Sequence, residues 1–309
     1  MKSEKCKVQS GESSSIGKPI ALPSPRHPLT PSSLSTSWTI LRISIEERLV
    51  YRGDFALGTL MRFLPIVTQI FLWGAVFSAI RAADSTAAAG AVSVAGYSYD
   101  NFIAYYLLTM ISRAFSSMPG LASGIARDIR SGTVKKYLIQ PIDMLGFLLL
   151  YRTAHKLVYY LVAVLPFALV FWLCQGYFGG WPDATTMAAY LASLVMSFLL
   201  GFFLEATIGM IGFWFLEVSS LLWIYMLMNF FFSGHMFPID MLPGVWGVLV
   251  RLLPFQYLAY FPSAVFLGKI TGHELAFGLT LELAYVVLFI AAARTTFRLG
   301  VRQYSGFGG

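Results

Sequence analysis

Runs of roughly twenty apolar residues with almost no charge recur along this chain, and they leave its backbone few options. In hydrocarbon every N–H and C=O must find a partner within the protein, and an α-helix does this inside a single segment. About twenty residues carry a helix across ~30 Å of lipid. Runs of this kind occupy residues 58–80, 101–120, 156–174, 187–213, 217–233 and 274–293. They predict an all-α membrane protein of about six transmembrane helices, with Asp100 or Asn101 suited to cap the second. Composition agrees: only 12% of residues are charged, against about 25% in a soluble domain.

The formal charge of +7 does not read as a nucleic-acid surface, because the Lys and Arg sit beside the apolar runs. That placement is a topology signal. Arg42, Arg48, Arg52, Arg62, Arg127, Arg130, Lys135, Lys136, Arg152, Lys156, Arg294, Arg298 and Arg302 fall on one side of the membrane, and Arg81, Arg251 and Lys269 on the other. The positive side is cytoplasmic. Both termini are therefore expected in the cytoplasm, in a multi-pass protein of the cell's inner (plasma) membrane. The lipid bilayer is its solvent, and no nucleic acid is expected as a partner.

Residues 1–35 are rich in Ser, Pro and Lys and lack an apolar core. They predict a disordered tail ahead of a transmembrane domain spanning 36–309. No secretory signal is expected there. Within residues 37–53, Trp38, Leu41, Ile45 and Leu49 share one helical face, while Arg42, Glu46, Glu47 and Arg52 lie mostly elsewhere. Such a helix either lies in the membrane interface or extends the first span into the cytosol. Residues 233–273 hold two apolar stretches too short to span, broken by Pro238, Pro243, Pro254 and Pro262. They predict either a re-entrant hairpin shielded by protein or two helices lying flat on the outer surface.

Catalytic signatures are missing. Gly17-Lys18 runs into Pro19 and Gly268-Lys269 into Ile270, so neither begins a phosphate-binding P-loop. The four histidines are scattered, and Cys6 and Cys174 form no ligand cluster. The chain is not expected to be an enzyme or to bind a metal or cofactor of its own.

Three charges fall inside the apolar runs: Arg113 in the second, Glu205 in the fourth and Glu282 in the sixth. An ionised group at the bilayer centre costs ~2.5–3.5 kcal/mol or more, so such groups face a cavity or a partner. Glu205 and Glu282 either line a substrate or proton path or pair structurally, Glu205 with Arg113 being one such pair. Gly201, Ala206, Gly209 and Gly212 place small residues on the fourth run and permit close helix approach.

The remaining oddity is a charged island between the second and third runs. Its sequence, Ile129-Arg-Ser-Gly-Thr-Val-Lys-Lys-Tyr-Leu-Ile-Gln-Pro141, reads as a short amphipathic helix broken near Gly132 and stopped at Pro141. It is either a set of positive-inside anchors or a docking element for a cytosolic partner. This stretch resembles the first cytoplasmic loop of ABC transporter permeases of the type-2 exporter class. The helix at 37–53, the segment at 238–268 and the closing Arg-Leu-Gly-Val-Arg-Gln-Tyr-Ser-Gly-Phe-Gly-Gly are similar to that class in place and length.

The resemblance implies a permease subunit of an ATP-driven exporter. Its loop would be a coupling helix, with Ile129, Arg130, Gly132, Thr133, Lys136, Tyr137 and Leu138 meeting a cytosolic ABC ATPase. A second coupling element near residues 214–219 would use Glu217. It further implies a dimer with a second permease copy or a paralogue. ATP and Mg would be bound on the partner ATPase rather than on this chain. The exported substrate would be a small molecule, a lipid or a glycan. The alternative is an ATP-independent, ion-coupled carrier built on Glu205 and Glu282. A weaker one is a membrane-embedded enzyme or scaffold.

Overall fold

A computed structural model describes residues 33–50, 52–83, 93–140, 142–215 and 217–304. Most of the tail expected at 1–35, the helix stop expected at Pro141 and the last five residues of the closing sequence lie outside them. The described residues form eleven α-helices and no sheet; one isolated bridge joins Val94 and Tyr97.

The helices follow the apolar runs, with shifted ends. In chain order they are α1 (Ser33–Val50), α2 (Arg52–Ala83), α3 (Tyr99–Ser116), α4 (Leu121–Arg130), α5 (Lys135–Leu138) and α6 (Met144–Leu173). After these come α7 (Ala184–Met210), α8 (Ser219–Phe232), α9 (Gly244–Arg251), α10 (Tyr260–Phe266) and α11 (Gly272–Gln303). Ser98 caps α3 by accepting from the Asn101 N–H, so neither Asp100 nor Asn101 does. Asp100 instead sits in the first turn, where a carboxylate suits the helix dipole. Asp143 caps α6 through the Gly146 N–H at 2.9 Å, which starts this helix three turns before the expected span.

Four segments are long and apolar enough to cross a membrane: Phe63–Ala83, Met144–Leu173, Ala184–Phe213 and Gly272–Gln303. α3 has 18 residues, a length of about 27 Å. The run expected as a fifth span is shorter than anticipated. Its helix, α8, has 14 residues, about 21 Å, against ~30 Å of hydrocarbon. The helix stops at Phe232 because Ser233 caps it and Gly234 turns left-handed, with φ +79°.

α7 is the hub. Over half of its apolar window is buried (56%), against 17–22% for the other three long segments. It packs against α3, α4, α10 and α11. Glycines make this possible. A Cβ on Gly201 would overlap the Ser116 carbonyl oxygen, and one on Gly209 would lie 2.6 Å from that of Ala122. Gly212 approaches the backbone of Ala126 in the same way. The small-residue face expected on this run is therefore a backbone-to-backbone seam with the end of α3 and with α4. The outer helices turn apolar side chains away from the bundle, among them Phe71, Leu161, Leu165, Leu169, Val287 and Leu288.

α1 packs along α6. Ser44 is buried, and Ile40, Leu41 and Ile45 are half-buried on the inward strip, but Trp38 is 67% exposed beside Arg42 and Glu46. The inward face is thus narrower than the sequence pattern suggests.

The segment 233–273 divides the two expectations between its helices. α10 is wrapped by protein from Tyr260 to Val265, as a re-entrant helix requires. Pro262 does not break it, since it lies in the first turn, where no backbone N–H is needed. α9 buries only Gly247 and Val250 and turns Val245, Trp246 and Val248 outward, as a surface helix does. Asp240 ties the segment down. It accepts from the hydroxyls of Tyr97 (2.8 Å) and Tyr260 (2.7 Å) and pairs with Arg251 at 2.9 Å. The Tyr105 and Tyr106 hydroxyls donate to the carbonyls of Gly234 and Met236.

Three substitutions test this architecture. Gly201→Val should destabilise the bundle by about 1–3 kcal/mol through overpacking, read as a lower Tm in detergent. Gly176→Val, where a Cβ meets nothing within 4 Å, should leave Tm unchanged. Asp240→Ala should cost about 1–3 kcal/mol by stripping acceptors from part-buried tyrosine hydroxyls, and should raise hydrogen exchange across 233–260 before the rest of the chain.

Candidate functional site

Two features of the fold invite a function: a charged face at one end of the bundle and a polar centre inside it. The charged face begins with α4, whose residues alternate by helical phase. Leu121, Ile125 and Ile129, spaced four apart, are buried against α7 and the turn after it, while Arg127 and Arg130 face outward. Ser131 caps α4, and Gly132 adopts φ +75°, the left-handed turn that ends a helix cleanly. The chain then folds back. The Val134 N–H reaches the Asp128 carbonyl at 2.9 Å, and the Val134 side chain is fully buried. α5 follows, with Lys136 paired to Asp128 at 3.3 Å and its ammonium 4.8 Å from the Tyr137 ring centre.

A second element lies beside it. Between the turn after α7 and the start of α8, Glu217 accepts from the Ser219 N–H at 2.9 Å and pairs with Arg130 at 3.1 Å. Trp214 and Phe215 are exposed next to it in the chain. Both partners of the ion pair are about half exposed or more, so the pair adds little stability. What it does is join two chain segments 87 residues apart. The cap of α6 and the last third of α11 meet at the same face through Asp143 and Arg294 at 2.7 Å, and Phe213 packs against Phe297 and Tyr304.

The residues singled out in the island therefore divide. Ile129 and Gly132 are buried and fix the loop to the bundle, and Tyr137 is half-buried against Phe147. Arg130, Thr133, Lys136 and Leu138 are exposed. Ile139, which was not among them, is 80% exposed and is the most accessible apolar residue of the loop. Its place in the apolar triplet 137–139 was a usable signal.

Inside the bundle, Arg113 and Glu205 line one cavity of about 590 Å³ together with Met118, Trp223, Tyr225 and Asn229. Arg113 donates to Asn229 Oδ1 at 3.1 Å. Glu205 accepts from the Met118 N–H and the Tyr225 hydroxyl, both at 3.4 Å. Asn229, a lone amide in a greasy helix, was legible as an oddity but was not singled out. Glu282 lies elsewhere, fully buried between α7 and α11. Its Oε2 accepts from the Ser193 hydroxyl at 2.8 Å, and its Oε1 is buried without a partner. Two cations of α6 meet the end of α3: Lys156 donates to the carbonyls of Ala114 and Ser117, and Arg152 to that of Pro119 at 2.9 Å. Among the described residues no group of His, Cys, Asp and Glu is placed to hold a metal ion.

Hydrogen bonds from Ser219, reinforced by Arg130, hold the Glu217 carboxyl below the ordinary glutamate range. A lowered pKa means that its contribution is complete above the ordinary value of about 4.5 and is lost as pH falls through the lowered one. The Tm difference between wild type and Glu217→Gln should thus stay constant from pH 8 to pH 5 and shrink only at more acid pH. Cysteines placed at 130 and 217, with Cys6 and Cys174 replaced by serine, should cross-link with a short bifunctional thiol reagent.

Comparison with known proteins places the chain in a family. No curated protein matches the sequence. A family model described as ABC-2 family transporter protein matches residues 63–308, from the first apolar span to the end of the chain's last helix and beyond. The chain belongs to the ABC-2 transporter family and is a multi-pass membrane permease.

Proposed function

We propose that this permease is the membrane-spanning half of an ATP-driven exporter and takes its driving force from a separate cytosolic ATPase at the face built by α4, α5, Trp214, Phe215 and Glu217. One observation carries this reading: an exposed strip (Arg130, Thr133, Lys136, Leu138, Ile139) stands on a base that is packed into the bundle through Ile129 and Val134. A surface loop that only anchored charge to lipid headgroups would not need a buried base of this kind. An apolar tip flanked by cations suits a groove on a protein partner. The ion pair between Arg130 and Glu217 makes the two segments one docking surface.

On this reading the face is cytoplasmic, ATP and Mg are bound by the partner, and the permease works as a dimer with itself or a paralogue. ATPase closure pushes α4, and the seam passes that push to α7. The exporting direction and the substrate class belong to the same proposal. Ion-coupled carriage through Glu282 has one observation in its favour, the buried Oε1 without a partner. Glu282 does not line the cavity that holds Arg113 and Glu205, however, which favours a packing role.

The experiment is co-purification of the full chain with its nucleotide-binding partner, followed by ATPase assay in nanodiscs. Arg130→Glu and Ile139→Asp should each weaken association or substrate-stimulated hydrolysis by about tenfold, a loss of about 1.4 kcal/mol. Both residues are exposed, so membrane insertion and Tm should be unchanged. Full coupling in both variants would overturn the docking role.

A further inference from the structure

A second cavity opens beside Arg113. Its volume is about 600 Å³, enough for a drug-sized or single-chain lipid-like molecule. Helices α2, α3, α6 and α8 wall it, together with the chain after α8. Most of its wall is apolar: Pro65, Ile66, Met110, Phe167, Phe230 and Met236. Leu64, Val67, Phe230 and Met236 are exposed on or beside it, so the cavity borders the surface that faces lipid.

The fixed charge of this chamber comes from one residue. Arg113 is the only residue among those lining it that carries a fixed charge, and no carboxylate joins it there. Glu205 lies on the first cavity, turned toward the Met118 N–H and the Tyr225 hydroxyl. Two further polar atoms are buried without a hydrogen-bond partner, His235 Nδ1 and Gln69 Oε1, and both residues line this cavity. Unsatisfied buried polar atoms are costly and call for a partner. A half-turn of the Gln69 amide would place its NH₂ where the oxygen now stands, and a neutral His235 protonated at Nδ1 would donate there. Both then join Arg113 as donors. A guanidinium with two further donors in an apolar chamber complements an oxyanion attached to an apolar body.

We infer that this cavity binds an acidic amphiphile, a molecule with an apolar body and a single carboxylate, sulfate or phosphate group, with the acid group at Arg113, Gln69 and His235. The inference rests on the permease reading, because it names the class of substrate that the permease would move. A neutral glycan lacks the apolar body, and a cationic amphiphile would face Arg113 across a dry chamber.

The test uses the full chain in nanodiscs of zwitterionic lipid, without an ATPase. Three fluorescent probes share one apolar body: 1-pyrenebutyrate, its methyl ester, and the matching trimethylammonium compound. The wild type should bind the butyrate at least about tenfold more tightly than either of the others. Arg113→Gln should erase that preference, and Arg113→Lys should retain most of it. His235→Phe and Gln69→Leu should each weaken the butyrate several-fold while leaving the ester unchanged. Equal or tighter binding of the ammonium probe by the wild type would overturn the inference, and this result needs no variant to fold. It would leave the ATPase partnership standing. Failure to recruit an ATPase, with the anion preference intact, would instead count against the exporter reading alone.

Discussion

The contact on which the rest of this structure depends is the approach of α7 to the end of α3 and to α4. Gly201, Gly209 and Gly212 meet Ser116, Ala122 and Ala126 with no side chain between the backbones on the α7 side. Apolar side chains gain no hydrophobic driving force by meeting one another inside lipid, so helices there hold together by van der Waals fit and hydrogen bonds. The seam supplies the fit. It also fixes where everything else sits. α10 and α11 pack on other faces of α7, and the turn after α7 carries Phe213 to the closing aromatic cluster. Removing the seam would leave α4 without a floor.

The two ends of the bundle use polar chemistry differently. At the end bearing 233–260, tyrosine hydroxyls and Asp240 make a partly buried network that ties the chain after α8 to α3 and α10. Each of these bonds satisfies a group that would otherwise be stranded at low dielectric. At the other end the pairs are exposed: Arg130 with Glu217, Lys136 with Asp128, Arg294 with Asp143. Exposed pairs are weak and exchange readily with other partners.

Much of this was legible in the sequence, for reasons that residues make plain. Long apolar runs with excluded charge declare the helices that cross lipid, and helical phase alone places Leu121, Ile125 and Ile129 on one buried face. Small residues on the fourth run declare the seam. Other features depend on atoms brought together by the fold. Tyr97 and Asp240 are 143 positions apart, and nothing local marks them as partners. α8 reads as a full span because its flanks are apolar; its true length is decided by Gly234, whose left-handed turn ends the helix. Trp38 shares a helical face with Leu41 and Ile45 in sequence, yet α6 is narrow enough to leave it outside. The placement of Arg113 between two cavities, one acidic and one not, is invisible before the helices are packed.

The cations that α6 places on the end of α3 carry a mechanical meaning. Lys156 reaches the carbonyls of Ala114 and Ser117, and Arg152 reaches that of Pro119. Lys156 is itself buried. A shift of α6 along α3 by a single residue, about 1.5 Å, would pull both donors off their acceptors and strand a charge in a dry place. These bonds tie the middle of α6 to the end of α3, and a rearrangement that slides one along the other must break them first.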